Sequence, residues 1–150
     1  DTGMAWNIMV ICLGNICRSP MAEAFLKERL PDAKIASAGL EWATQGWSAD
    51  DYSVRAMAEH GIDISDHRAQ HLTEDLLEGV DIVLTMEQNQ VRIVQRRFPR
   101  FKGEVRRLCE GTDVEDPYGY PFIVFREVCQ QISEGVEVFC KTLSCKVPER

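Results

Sequence analysis

The sequence predicts an α/β fold. One domain over 1–150 is expected, built on a parallel sheet of about four strands with helices on both faces. Three observations carry this. A short, continuous apolar run at Asn7-Ile8-Met9-Val10-Ile11 suits a strand covered on both sides, and Val80-Asp81-Ile82-Val83-Leu84-Thr85 reads as a further strand. Segments of helical period alternate with them. The last of these places Phe125, Val128, Cys129, Ile132, Val136, Phe139, Cys140 and Leu143 on one stripe, interrupted only by Gly135.

The elements follow in order. After the first strand, a loop runs to Pro20, which suits a first helical residue, and Met21 to Leu30 is rich in helix formers, with Ala22, Phe25 and Leu26 on one side. Lys34 to Ser37 reads as a second strand, followed by a loop carrying Trp42, Gly46 and Trp47. Asp50 is placed to cap a helix from Asp51 to His60, stopped by Gly61. Thr73 ahead of Glu74-Asp75 marks another N-cap, and Gly79 ends that short helix. The third strand is 80–85, Met86 to Arg97 is helical up to Pro99, and Glu104 to Leu108 is a weaker fourth strand. The closing helix packs on the sheet. Asp1-Thr2-Gly3 before Met4 reads as an expression leftover and stays outside the fold argument.

With 45% apolar residues the chain can bury a real core. Six cysteines are too few for a disulfide scaffold, and a reducing cytoplasm with free thiols is expected. No apolar run approaches the roughly 18 to 20 residues of a membrane span, so no membrane insertion is expected. The net charge of -7 argues against nucleic acid as a partner. The basic cluster of Arg92, Arg96, Arg97, Arg100, Lys102, Arg106 and Arg107 reads as a solvated helix face and loop.

Chemistry concentrates in Val10-Ile11-Cys12-Leu13-Gly14-Asn15-Ile16-Cys17-Arg18-Ser19-Pro20. A loop that enters a helix directly leaves backbone N–H groups unpaired, and with the helix dipole they cradle an anion. Cys12 stands at the base of this cradle, where its thiolate is favoured. Gly14 and Asn15 are the residues that most easily take unusual backbone angles. Arg18 supplies a planar fork for two phosphate oxygens, and Ser19 can donate to the sulfur. Leu13, Gly14, Asn15, Ile16, Cys17, Arg18 and Ser19 together form a phosphate-binding loop. Phosphoryl transfer to Cys12 gives a cysteinyl-phosphate without a metal or other cofactor.

That loop resembles the signature of the low-molecular-weight protein tyrosine phosphatases. The bare Cys-x5-Arg-Ser spacing is shared with other cysteine phosphatases. Gly14-Asn15, Cys17, Pro20 and the position near the N-terminus narrow it, and Ser37-Ala38-Gly39, His67 and Asp116-Pro117-Tyr118 extend the resemblance along the chain. The resemblance implies hydrolysis of protein phosphotyrosine and small aryl phosphates. Tyrosine-phosphorylated proteins, and a cognate tyrosine kinase, are the partners it suggests. A phenolate is a poor leaving group, so a carboxylic acid must protonate it, and the resemblance assigns this to Asp116, with Asp113 and Glu115 as rivals in sequence. Leu13, Trp42, Trp47 and Tyr118 are the apolar or aromatic candidates for the pocket; the resemblance puts Tyr118 in a stacking position and Trp42 in a variable wall, while Trp47 has no counterpart. It also implies that Ser19, Ser37 and His67 hold Asn15. Cys17 is either a disulfide partner for oxidised Cys12 or an inert buried thiol, and both readings stand. Cys109, Cys129, Cys140 and Cys145 read as core or surface thiols, without metal-like spacing. Gly119 separates Tyr118 from Tyr120, where some members carry adjacent tyrosines, and this puts regulation through that pair in doubt.

Two other readings compete. A thioredoxin-coupled arsenate reductase shares the loop but needs two resolving cysteines in mid-chain, and none lies between Cys17 and Cys109. A non-catalytic phosphotyrosine reader could use the cradle and Arg18, although such proteins lose the thiol or the acid, and Cys12 and Asp116 are both present.

Overall fold

The computed structural model describes residues 5–143 and 148. Cys145 and the Asp1 to Gly3 segment lie outside the described residues. Four parallel strands, β1 (Asn7–Cys12), β2 (Lys34–Gly39), β3 (Ile82–Thr85) and β4 (Glu104–Arg107), form one sheet in the order β2-β1-β3-β4. The helices are α1 (Arg18–Arg29), α2 (Asp51–Ala58), α3 (Gln88–Arg97) and α4 (Phe122–Leu143).

The apolar runs form strands because both faces of the sheet are covered. Ile8, Val10, Ile82 and Leu84 point into one core, with Met21, Leu26, Met57, Val128, Ile132 and Phe139 from α1, α2 and α4. Met9, Ile11 and Val83 point into the other, with Leu72, Leu77 and Val94. The expected α4 stripe is the buried face, with Cys140 half-buried at its edge. Its one interruption has a cause in packing: a Cβ on Gly135 would lie 2.6 Å from Cys109 Sγ. β4 reads weakly because it is an edge strand without a fully buried residue.

Element bounds shift by one to a few residues, β2 to Lys34–Gly39, β3 to Ile82–Thr85, α3 to Gln88–Arg97 and β4 to Glu104–Arg107, and other expectations change in kind. α1 begins at Arg18, so Pro20 is its third residue, still within the first turn, where a missing N–H breaks no helical bond. The 73–79 segment is a 3-10 turn over Glu74–Leu77, and Thr73 makes no side-chain capping bond. Asp50 does cap α2, accepting from the Tyr52 N–H at 2.9 Å, but α2 stops at Ala58. The basic cluster is dispersed: Arg97 donates to Leu40 O, Arg100 pairs with Glu74 and Arg107 with Asp113. No helix among the described residues is long and apolar enough to cross a membrane.

The order β2-β1-β3-β4 means that the chain leaves β1 toward one side and β3 toward the other. The crevice at their carboxyl ends is the usual ligand position in such sheets. Cys12 is the last residue of β1, and Glu87 lies two residues beyond the end of β3.

Candidate active site

The loop 13–17 carries the chain from β1 into α1, and its form follows from its residues. Asn15 sits at φ 59, the left-handed region that asparagine tolerates better than most side chains. The residue that follows β2 pins the loop from outside, Leu40 N–H donating to Leu13 O at 2.8 Å. There is no room to spare: a Cβ on Gly39 would lie 2.9 Å from Leu13 O and 3.1 Å from Asn15 N. The first turn of α1 contains no acidic residue and Cys17 caps it with no side-chain bond, so its field acts on the loop undiminished.

Cys12 is buried. Its Sγ accepts from the Asn15 N–H at 3.3 Å and lies 3.0 Å from Ser19 Oγ. Asn15 Nδ2 donates to Ser19 Oγ at 2.8 Å and to Ser37 Oγ at 2.9 Å, while Asn15 Oδ1 accepts from the Gln70 N–H at 2.9 Å. His67 Nε2 lies 2.7 Å from Asn15 O. The four support candidates thus contact one another through Asn15, and Gln70 joins them without a sequence signal, its backbone N–H on Asn15 and its side-chain amide on Ser37 O.

Arg18 is the largest fully buried side chain, 1% exposed. A buried guanidinium needs partners. Nη1 donates to Glu87 Oε2 at 2.5 Å and to Val114 O at 2.7 Å. Among the described residues Nε has no hydrogen-bond partner, and Nη2 lies 3.7 Å from Asp116 Oδ2. The end held by Glu87 and Val114 leaves the Nε–Nη2 edge as the fork that can take two oxygens of a phosphate. Sequence reasoning missed Glu87; the one signal available was its place just beyond a strand end.

A cavity of about 220 Å³ opens over the loop, lined by Cys12, Leu13, Gly14, Ile16, Cys17 and Arg18, with Glu41, Ala43, Thr44, Trp47, Asp116 and Tyr118 above them. Trp42 is not in its lining, contrary to the expectation that it forms a wall. Its ring stacks on His71 instead, centroids 4.0 Å apart, while its neighbours face the cavity. Thr44 Oγ1 to Gly14 O and His71 N–H to Gln45 Oε1 hold the turn in that attitude. Half-exposed Trp47 and exposed Tyr118 are the large aromatic residues in its lining.

Asp116 lines the cavity with its carboxyl partly exposed; its Oδ1 accepts from the Tyr118 N–H at 3.1 Å. Its two sequence rivals do not line it. Asp113 accepts from the Gln88 N–H at 3.0 Å and from Arg107 at 2.9 Å, and these hold its carboxyl below the usual carboxylate range. It is a poor proton donor. Burial, with Asp50 nearby, pushes the Cys17 thiol far up, so Cys17 stays protonated beside Cys12. The arrangement can hold a tetrahedral anion against a sulfur nucleophile, with a carboxyl group at the mouth.

The family model for low molecular weight phosphotyrosine protein phosphatase matches residues 7–149. Among similar sequences, a probable low molecular weight protein-tyrosine-phosphatase, EpsP of Ralstonia solanacearum, is 44% identical over 138 residues, covering 91% of this chain and 94% of that protein. Among solved structures, Vibrio vulnificus Wzb in complex with benzylphosphonate superposes with a TM-score of 0.88 at 30% identity, covering 92% of this chain and 99% of that one. The YwlE arginine phosphatase from Geobacillus stearothermophilus does so with a TM-score of 0.86 at 30% identity, covering 93% and 94%.

Proposed function

The chain belongs to the low molecular weight phosphotyrosine protein phosphatase family, a family of cysteine-dependent phosphatases, and on that premise we propose how its residues divide the work. Cys12 thiolate attacks the phosphorus of a phosphotyrosine. The phosphorus to phenolic oxygen bond breaks, and Asp116, in its acid form, gives its proton to the departing oxygen. Arg18 and the loop amides hold the other phosphate oxygens, whose charge is best matched in the transition state. Water then attacks the cysteinyl-phosphate, Asp116 takes its proton, and inorganic phosphate leaves with Cys12 restored as thiolate. Trp47, Leu13 and Tyr118 flank the phenyl ring.

The observation that supports this most is convergence. Cys12 from β1, Arg18 from α1 and Asp116 from the late loop line one small cavity. Benzylphosphonate, held by the Wzb relative, has the shape of a phenyl ring carrying such a group. Tyrosine-phosphorylated proteins are the proposed substrates, a cognate kinase among them, in a reducing cytoplasm where the thiol stays free.

Cys12→Ser tests the reading: turnover of phosphotyrosine should fall by at least about 10³-fold while vanadate still binds. A residual rate within about tenfold of the parent would end the covalent mechanism. Because arginine phosphatases are among the structural neighbours, phosphoarginine belongs in the same assay, and faster turnover of it than of phosphotyrosine would overturn the substrate assignment. Cys17 lines the same cavity as Cys12, and we propose that it closes a disulfide once peroxide has oxidised Cys12 to the sulfenic acid, with water leaving. Peptide mapping that finds Cys12 oxidised without a bond to Cys17 rejects this.

A further inference from the structure

A second groove, of about 580 Å³, shares no lining residue with the catalytic cavity. It runs between α1, the β2 edge and the 62–70 segment, and Glu23 and Ser37 both line it. Glu23 is 17% exposed on its side chain; Oε1 accepts from Ser37 Oγ at 2.5 Å and Oε2 pairs with Lys27 at 2.8 Å. Neither Glu23 nor its bond to Ser37 has a part in the chemistry described above.

We propose that Glu23 is a positioning residue for Cys12, acting through Ser37, Asn15 and Ser19. The hydrogens along this chain of contacts have one assignment. The Gln70 N–H can only donate, so Asn15 Oδ1 must face it and Asn15 Nδ2 must face the two serines. Both amide hydrogens are then committed, one to Ser19 Oγ and one to Ser37 Oγ. Each hydroxyl accepts from Asn15 and has to direct its own hydrogen elsewhere. Ser19 directs it to Cys12 Sγ at 3.0 Å, and Ser37 directs it to the Glu23 carboxylate.

A carboxylate accepts and never donates. It therefore fixes the Ser37 rotor, leaves the Ser37 lone pairs to Asn15, and braces the one left-handed non-glycine residue among those described, on whose geometry the loop depends. The bond is charge-assisted and half-buried, so it outlasts solvent competition better than a surface pair. The other charged groups lining the groove are Lys27, Glu28, Asp63, Asp66, His67 and Arg68. Lys27 holds the second Glu23 oxygen, and His67 contacts Asn15 O.

This rests on Cys12 being the nucleophile, and the test separates the two. Glu23→Gln keeps shape but removes the charge, and Lys27 then competes for the one remaining carbonyl oxygen. It should lower both kcat for para-nitrophenyl phosphate and the rate of Cys12 alkylation by iodoacetamide about three- to tenfold, the range of one buried hydrogen bond. KM should stay within about twofold. Glu28→Gln, which removes a charge from the same groove, should change neither rate. In a Ser37→Ala background, Glu23→Ala should add no further loss, since the route runs through Ser37. An unchanged alkylation rate in Glu23→Gln overturns the proposal, as does an equal loss with and without Ser37. Should Glu23→Ala lose its fold by circular dichroism, the Glu23→Gln rates decide alone. Activity surviving in Cys12→Ser would instead defeat the nucleophile assignment.

Discussion

Arg18 is a costly side chain to bury. A guanidinium at 1% exposure is tolerable only because Glu87 Oε2 and Val114 O take its Nη1 hydrogens, and that same grip aims the opposite edge at the cavity. Glu87→Ala is therefore expected to lower kcat more than tenfold and to weaken vanadate binding. It should also cost about 1–3 kcal/mol in denaturant unfolding, less than for a fully buried pair because Glu87 is 30% exposed. Normal kinetics in a destabilised Glu87→Ala would show that the pair serves folding alone. Asp116 makes a different kind of demand. A proton donor matters in proportion to the basicity of the group it protonates. Asp116→Ala should slow phosphoenzyme formation modestly with para-nitrophenyl phosphate and far more with phenyl phosphate or phosphotyrosine, as read in burst kinetics. Equal slowing would mean that Asp116 merely shapes the loop, through its bond to the Tyr118 N–H.

Two glycines separate the elements that carry the site from those that carry the core. At the end of β2, a Cβ on Gly39 would meet backbone atoms of the loop at 2.9, 3.0 and 3.1 Å, and backbone cannot rotate out of the way. Gly39→Ala should shift the phosphate loop and reduce kcat at least tenfold, a displacement of a few tenths of an ångström being enough to misalign a nucleophile. In α4, a Cβ on Gly135 would meet Cys109 Sγ at 2.6 Å. Alanine is the better helix former by about 1 kcal/mol, but overpacking costs about 1–3 kcal/mol. The clash prevails, and Gly135→Ala should be destabilised by about 1 kcal/mol with kcat intact. Reversal of this pattern between the two variants would mean that the loop is braced from α4 rather than from β2.

Across the molecule, buried thiols tie stability to alkaline pH. Burial between α4 and α2, with Glu59 adding to it, pushes the Cys129 thiol from 9.0 up to about 11. A thiol raised in the folded state contributes stability that is whole below its unfolded value and is lost as pH climbs through the folded one. The fold should therefore weaken between pH 9 and about 11. Cys129→Ala should show a shallower decline over that window in denaturant midpoints, whatever its own stability at neutral pH. Identical slopes would place the alkaline loss on other groups.

What the sequence determined by itself is what lies close together along the chain. The order of strands and helices follows from local periodicity, and the Cys12 to Ser19 loop is one contiguous segment whose backbone, nucleophile and arginine are all within reach of local chemistry. Asp50 could be read as a cap because a cap bonds two residues on. The tertiary structure alone decided the rest. Glu87 reaches Arg18 only because β3 lies beside β1, and Trp47 rather than Trp42 faces the cavity because His71, remote in sequence, offers Trp42 a ring to stack on. Asp116 parts from Asp113 because Gln88 and Arg107 engage one and not the other. These are pairings between distant segments, set by strand order and packing, and no local period in the sequence encodes which side chains they bring face to face.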